Sequence, residues 1–171
     1  MILVSYDGSA DGQAAIDRAA QLMPGAQATV LTVWERYIDM LSRTGALGVG
    51  MGMGSAGLYS DAERIDASSE AVALASATEG AERATAAGLA ASPRCTGREG
   101  DVADTIIAVA AQLDAGVIVL GTRGRSGVRS FLLGSVSHGV VQHADRPVLV
   151  VPSPALAARR HHHVHHGLTP A

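Results

Sequence analysis

Gly116-Val-Ile-Val-Leu-Gly121-Thr-Arg-Gly124-Arg-Ser-Gly-Val-Arg-Ser-Phe-Leu-Leu-Gly134-Ser135 is the stretch on which the fold turns. Gly116 to Leu120 is a short, β-branched apolar run without polar alternation, the pattern of a strand covered on both faces. Gly134-Ser135 opens a segment read as a helix to about Ala144. Between strand and helix lies a loop rich in glycine and arginine.

The same grammar recurs on either side. Met1 to Tyr6 is a nearly continuous apolar run cut off by Asp7-Gly8-Ser9, and Ser9 or Asp11 can cap the helix that follows. Ile16, Ala19, Ala20 and Met23 give that helix one apolar face, and Pro24-Gly25 stops it. Ala28 to Trp34 reads as a second strand. Asp61 to Ala91 is Ala-rich and helical, with Gly80 its weak point, and Pro93 to Arg98 reads as a short third strand. Gly100-Asp101 starts a further helix with Asp101 as N-cap; Val102, Ile106, Val109 and Leu113 keep its spacing, and Ala115-Gly116 ends it. Pro147 to Val151 is the last strand. Strands alternating with helices imply an α/β fold: a five-stranded parallel sheet with helices on both faces. Ligands of such sheets sit beyond the carboxyl ends of the strands, where strand order reverses. Asp7-Gly8-Ser9 and the segment from Gly121 onward both follow strands at that edge.

Two segments stand outside this pattern. Residues 36–60 carry glycine at 45, 48, 50, 52, 54 and 57, which raises the entropy cost of any fixed conformation, and they read as a mobile loop. Met51 and Met53 in it could fold over a ligand or simply be exposed. Residues 1–152 read as one domain, and 153–171 as a flexible His-rich tail, either native or a remnant of a purification tag.

Composition narrows the function. All 13 basic residues are arginine, so a Walker A loop, which needs lysine, is excluded. The formal net charge is −3 and aromatics are 3%, which argues against a general nucleic-acid partner. The single cysteine, Cys95, excludes an internal disulfide and any Cys-based zinc cluster. No apolar stretch approaches the ~18 residues of a membrane span, and the N-terminus lacks the basic start of a signal peptide, so a cytoplasmic location is expected. His138 and His143 are five apart on the last helix, not the i, i+4 spacing of a zinc pair. Asp101 and Asp104 sit in a helical first turn, where negative charge is favoured. Neither a Gly-x-Ser-x-Gly elbow nor a His-Glu-x-x-His motif occurs, and no residue reads as catalytic or as a metal ligand.

The loop itself points to an anion. Glycine suits places where backbone approaches a ligand closely or takes positive φ. Gly134-Ser135 would present a helix N-terminus, with unpaired N–H groups and a favourable dipole, to a phosphate. Ser135 adds a hydroxyl, and Arg123 and Arg125 supply charge.

The spacing Gly121-x2-Gly124-x9-Gly134-Ser135, with Val136 after it, resembles the nucleotide-binding signature of the universal stress protein family. Ser5-Tyr6-Asp7-Gly8-Ser9, the Gly100-Asp101 helix start and Arg146-Pro147-Val148-Leu149-Val150-Val151 support the resemblance, which covers residues 1 to about 152. It implies a sheet in the order 3-2-1-4-5, similar to the adenine nucleotide α-hydrolase-like and Rossmann-like folds. It further implies binding of ATP, or of AMP or ADP, with Mg²⁺ on the phosphates, and homodimers. By position, Asp7 resembles the acidic residue near the ribose or a phosphate-bound metal, although it could instead merely cap the first helix. Ser5 and Tyr6 would lie beside the adenine, and the Val33 backbone would recognise its edge. Leu120, Gly121, Arg123 and Gly124 resemble the ribose and first-phosphate wall, and Gly134, Ser135 and Val136 the triphosphate cradle. The last strand, Val148 to Val151, is expected at a sheet edge where a second copy could pair.

The function implied is an ATP-binding stress-response regulator or sensor, with slow or no hydrolysis and an unknown protein partner. A weak ATPase or nucleotide-using enzyme, and a nucleotide-independent interaction module, are the alternatives.

Overall fold

The computed structural model describes residues 1–44, 55–124 and 133–158, with the side chains of 55–60 left aside. Five strands, β1 (Ile2–Ser5), β2 (Gln27–Trp34), β3 (Ala90–Gly97), β4 (Val117–Gly121) and β5 (Val148–Val151), pair in parallel in the order β3-β2-β1-β4-β5. This is the order implied by the family resemblance. The switch in strand order falls between β1 and β4, where Ile2, Leu3 and Val4 stand opposite Val117, Ile118 and Val119.

Helices cover both faces. On one face α1 (Ala10–Leu22) and α3 (Ser55–Ala86) bury Ala15, Ile16, Ala19, Ala81 and Ala84 against Val4, Val30 and Val119. On the other, α4 (Val102–Gln112) and α5 (Ser135–His143) bury Ile106, Val109, Ala110 and Val140 against Leu3, Leu31, Ile118 and Leu120. Small residues let α4 and α5 approach closely: a Cβ on Gly139 would stand 2.8 Å from that of Ala103.

The helix ends are set by local geometry. Ser9 caps α1, its Oγ accepting the Gly12 N–H at 3.1 Å. α3 ends at Ala86, five residues earlier than its composition suggests, because Gly88 takes φ +101°. Leu89 then donates to the Ala84 carbonyl and Gly88 to that of Thr85, a Schellman closure. α4 closes the same way, with Asp114 at φ 46°. Asp101 holds the N-cap position of α4, but its side chain makes no capping bond; instead Thr105 Oγ1 lies 2.8 Å from the Asp101 carbonyl and accepts the Glu99 N–H at 2.9 Å.

Three expectations are corrected. The loop expected over 36–60 contains α2 (Tyr37–Thr44) and the first turns of α3. Tyr37 to Thr44 lies ahead of the glycine run, and its start is fixed by the Tyr37 N–H donating to Asp66 Oδ1 at 2.6 Å. Residues 45–54, with Met51 and Met53, lie outside the described residues. The third strand begins at Ala90 rather than Pro93; β3 is an edge strand, where proline's missing donor is tolerated. The expected tail from 153 is packed where it begins: Ser153 and Leu156 are buried, and residues 154–158 form a helical turn. The His-rich stretch beyond lies outside the described residues. Among the described residues no helix is long and apolar enough to cross a membrane.

Candidate functional site

Beyond the carboxyl ends of β1 and β4, at the switch in strand order, lies an open hollow of about 160 Å³. The eleven residues singled out from the sequence all line it. Ser5, Tyr6 and Asp7 come from the end of β1, and Val33 from the end of β2. Leu120 and Gly121 come from the end of β4, Arg123 and Gly124 from the loop after it, and Gly134, Ser135 and Val136 from the start of α5. Three further residues complete the wall: Gly12, Val102 and Ser137. The volume is below the roughly 300–1,000 Å³ of sites that enclose a small ligand. The hollow, among the described residues, has room for only part of such a ligand.

Asp7 holds the centre. Its Oδ1 accepts the Ser9 N–H at 3.0 Å, closing the turn that starts α1. Its Oδ2 faces Gly124, where a Cβ would stand only 2.7 Å away. The cap of α1 is thus Ser9 rather than Asp7; the Asp7 carboxylate holds the Ser9 N–H and borders the hollow.

None of Gly121, Gly124 and Gly134 takes a positive φ; the demand on them is proximity. A Cβ on Gly121 would meet the carbonyl carbon of Asp11 at 2.7 Å and its oxygen at 2.9 Å, so the β4 end abuts the first turn of α1. A Cβ on Gly134 would come within 3.4 Å of the Thr122 carbonyl oxygen.

The α5 end supplies the donors. Gly134 is its N-cap, and the Gly134 N–H is itself bonded to the Thr122 carbonyl at 2.9 Å. That amide therefore anchors the loop. The N–H groups of Ser135, Val136 and Ser137, in the first turn, have no carbonyl within α5 to bond. Ser137 is buried, and its hydroxyl donates to the Gly121 carbonyl at 2.7 Å, tying α5 to the last residue of β4. Ser135 is exposed at the mouth. Ser9 Oγ lies 3.4 Å from the Arg123 carbonyl, a further link between α1 and the loop. Arg125 lies outside the described residues.

Tyr6 forms the floor. It is 2% exposed, its hydroxyl donates to Glu79 Oε1 at 2.9 Å, and its carbonyl accepts from Thr32 Oγ1 at 2.9 Å. Burial and the Glu79 bond push the phenol above its ordinary value, so it is a neutral donor at physiological pH.

Other titratable candidates lie away from the hollow. His138 and His143 are both exposed on α5. Burial raises the Cys95 thiol, the reverse of thiolate activation. Among the described residues no three His, Cys, Asp or Glu side chains are grouped to hold a metal.

Gly12, Val102 and Ser137 were missed for different reasons. Gly12 and Val102 read as ordinary residues of helix starts. Ser137 carried a usable signal, a polar residue two positions into a helix on the face that also carries Val140.

Strand order, crevice and helix N-terminus together define a doubly wound α/β domain with an open hollow at the topological switch point. The model of the universal stress protein family matches residues 1–152, and the chain belongs to that family. A universal stress protein of Thermus aquaticus, encoded in the QAH/OAS sulfhydrylase 3' region, is 32% identical over 88% of this chain and 96% of its own. Matches to some other curated relatives are shorter. Universal stress protein MJ0531 of Methanocaldococcus jannaschii is 45% identical over 33% of each chain, so this chain spans about a third of that relative. Among solved structures, universal stress protein UspA from Lactobacillus plantarum superposes with a TM-score of 0.64 at 22% identity, over 88% of this chain and 95% of that one. A universal stress protein crystallised in complex with cAMP superposes at 0.57 and 25% identity, over 89% and 95% of the two chains.

Proposed function

We propose that this chain binds an adenine nucleotide, foremost ATP, in the hollow between β1, β4 and α5, and acts as a cytoplasmic stress-response regulator or sensor rather than as a fast enzyme. One observation carries the reading: residues from three strand ends and one helix start converge on a single hollow into which the first turn of α5 opens. A base fits against Ser5, Tyr6 and the Val33 backbone, and the ribose beside Asp7. The phosphates run along Gly121 to Gly124 toward Ser135 and Val136, where orphan amides and the helix dipole favour negative charge. The cAMP complex of the structural relative supports an adenine nucleotide as the class of ligand.

Mg²⁺ fits as a companion of the phosphates rather than as a resident ion. Asp7 is the carboxylate bordering the hollow, and Mg²⁺ is commonly held by one or two carboxylates plus substrate phosphates. Among the described residues of the lining none reads as a general base, and slow or absent hydrolysis is part of this reading.

The chain acts as a homodimer through Val148 to Val151. β5 is an edge of the sheet and pairs only with β4 among the described residues, leaving one side of an apolar strand for a second copy. Sedimentation at the mass of two chains is expected, and the mass of one chain at micromolar concentration contradicts this part.

Thermal denaturation tests the binding. A ligand present at about 100 times its Kd stabilises the native state by about 2.7 kcal/mol. Millimolar ATP should raise the Tm of nucleotide-stripped protein by several degrees, and an unchanged Tm overturns the reading.

A further inference from the structure

The start of α5 is tied to the end of β4 at two points. The Gly134 N–H donates to the Thr122 carbonyl at 2.9 Å. The Ser137 hydroxyl donates to the Gly121 carbonyl at 2.7 Å and lies 3.3 Å from that of Thr122. From this geometry we infer that Ser137 is a positioning residue. Its hydroxyl holds the first-turn amides of α5 in place for the outer phosphates of the nucleotide, and so sets the preference for a triphosphate over the bare nucleoside. The inference deepens the nucleotide reading above and rests on it.

Ser137 directs its hydroxyl away from its own helix. A serine inside a helix commonly bonds a carbonyl of the preceding turn. Ser137 is 4% exposed, and it reaches instead to a strand end 16 residues back in the chain. With glycine at the N-cap, no side chain caps α5. The tethers to β4 therefore fix where the helix starts.

β4 gives those tethers a firm anchor. A Cβ on Gly121 would meet the Asp11 carbonyl carbon at 2.7 Å, so the strand end already lies against the first turn of α1. Ser137 binds the same glycine from the α5 side. Gly121 is thus wedged between two helix starts. Removing the hydroxyl takes a donor from a buried carbonyl, which is costly, and frees the start of α5 to drift.

The hollow divides along this line. Ser5, Tyr6 and Val33, against which the base rests, come from β1, β2 and the segment just after β1. Ser135, Val136 and Ser137 come from α5 and offer their amides to the phosphates. A small displacement of α5 lengthens the amide–phosphate bonds and leaves the base wall unchanged. Hydrogen bonds to ionised acceptors are stronger than neutral ones, so the loss falls on the charged end of the ligand.

The test compares ATP with adenosine on the nucleotide-stripped full chain, ATP by calorimetry and adenosine by chemical-shift titration, in the parent, Ser137→Ala and Ser137→Thr. Ser137→Ala should weaken ATP by about tenfold or more and adenosine by less than about twofold. Ser137→Thr keeps the hydroxyl and should return ATP binding toward the parent value. Adenosine binding in the same sample reports that the variant is folded. If Ser137→Ala does not fold, Ser137→Cys replaces it, since a thiol is a weak donor, and the same pattern is expected. If the parent binds ATP but adenosine falls below detection, AMP takes the place of adenosine. Equal weakening of both ligands, unchanged ATP affinity in Ser137→Ala, or Ser137→Thr as weak as Ser137→Ala overturns the inference, while ATP binding by the parent leaves the nucleotide reading intact. No ATP binding by the parent removes the nucleotide reading, and the inference with it.

Discussion

The Asp7 carboxylate and Gly124 stand so close that a single methyl group on Gly124 would come within 2.7 Å of Asp7 Oδ2. Asp7 is held from behind by the turn that opens α1, so it cannot retreat without loosening the Ser9 N–H bond. The glycine therefore keeps the hollow open.

The double variant Gly124→Val with Gly134→Val should weaken ATP binding by at least a factor of ten, about 1.4 kcal/mol, without unfolding the chain. Gly124 is exposed and neither glycine has positive φ, so the backbone accepts side chains. Circular dichroism and calorimetry on the same sample would check both halves of this expectation.

Gly121→Ala should behave differently. Its Cβ would press on the Asp11 main chain at 2.7–2.9 Å, where no flexible side chain can give way. Overpacking of this kind costs about 1–3 kcal/mol, so a lowered Tm is expected whether or not nucleotide is present.

Gly80→Ala separates propensity from packing. In an exposed helix interior the change stabilises by about 0.5–1 kcal/mol. Here the new Cβ would meet Tyr6 Cδ1 at 2.7 Å and Val30 Cγ1 at 2.9 Å. Overpacking of about 1–3 kcal/mol exceeds the propensity gain, and net destabilisation is expected in denaturant unfolding.

Tyr6 gives the chain a pH-dependent contribution. Its folded pKa lies above the unfolded value of about 10, so the folded state holds the phenol proton more tightly. The contribution is full below pH 10 and is lost as pH rises through the folded value. Tyr6→Phe should lower stability by about 0.5–1.5 kcal/mol at neutral pH, and the gap from the parent should narrow above pH 10. A gap that widens with alkaline pH contradicts the assignment.

How far the sequence went depended on which interactions decide each element. The parallel sheet was legible because Met1–Tyr6, Ala28–Trp34 and Gly116–Leu120 are buried strands whose apolar runs need no distant context. Strand order came from the resemblance around Gly121 to Val136, since residue patterning alone does not rank parallel strands. The site residues converged because the chain supplies them at strand ends, which any doubly wound sheet brings to one edge. α2 was hidden because its start depends on Asp66, 29 residues away. β3 was shortened by Pro93, whose tolerance depends on lying at the sheet edge. The glycines of the loop looked like conformational glycines, yet their contacts, with Asp11 and Asp7, are tertiary and invisible in the chain.

Isothermal titration of Mg·ATP into nucleotide-stripped protein tests the central claim most directly. One site per chain with a Kd in the micromolar range or tighter is predicted, lost in the Gly124→Val, Gly134→Val variant. No heat at millimolar ATP, or equal affinity in that folded variant, would contradict the placement of the nucleotide at the β1, β4 and α5 edge.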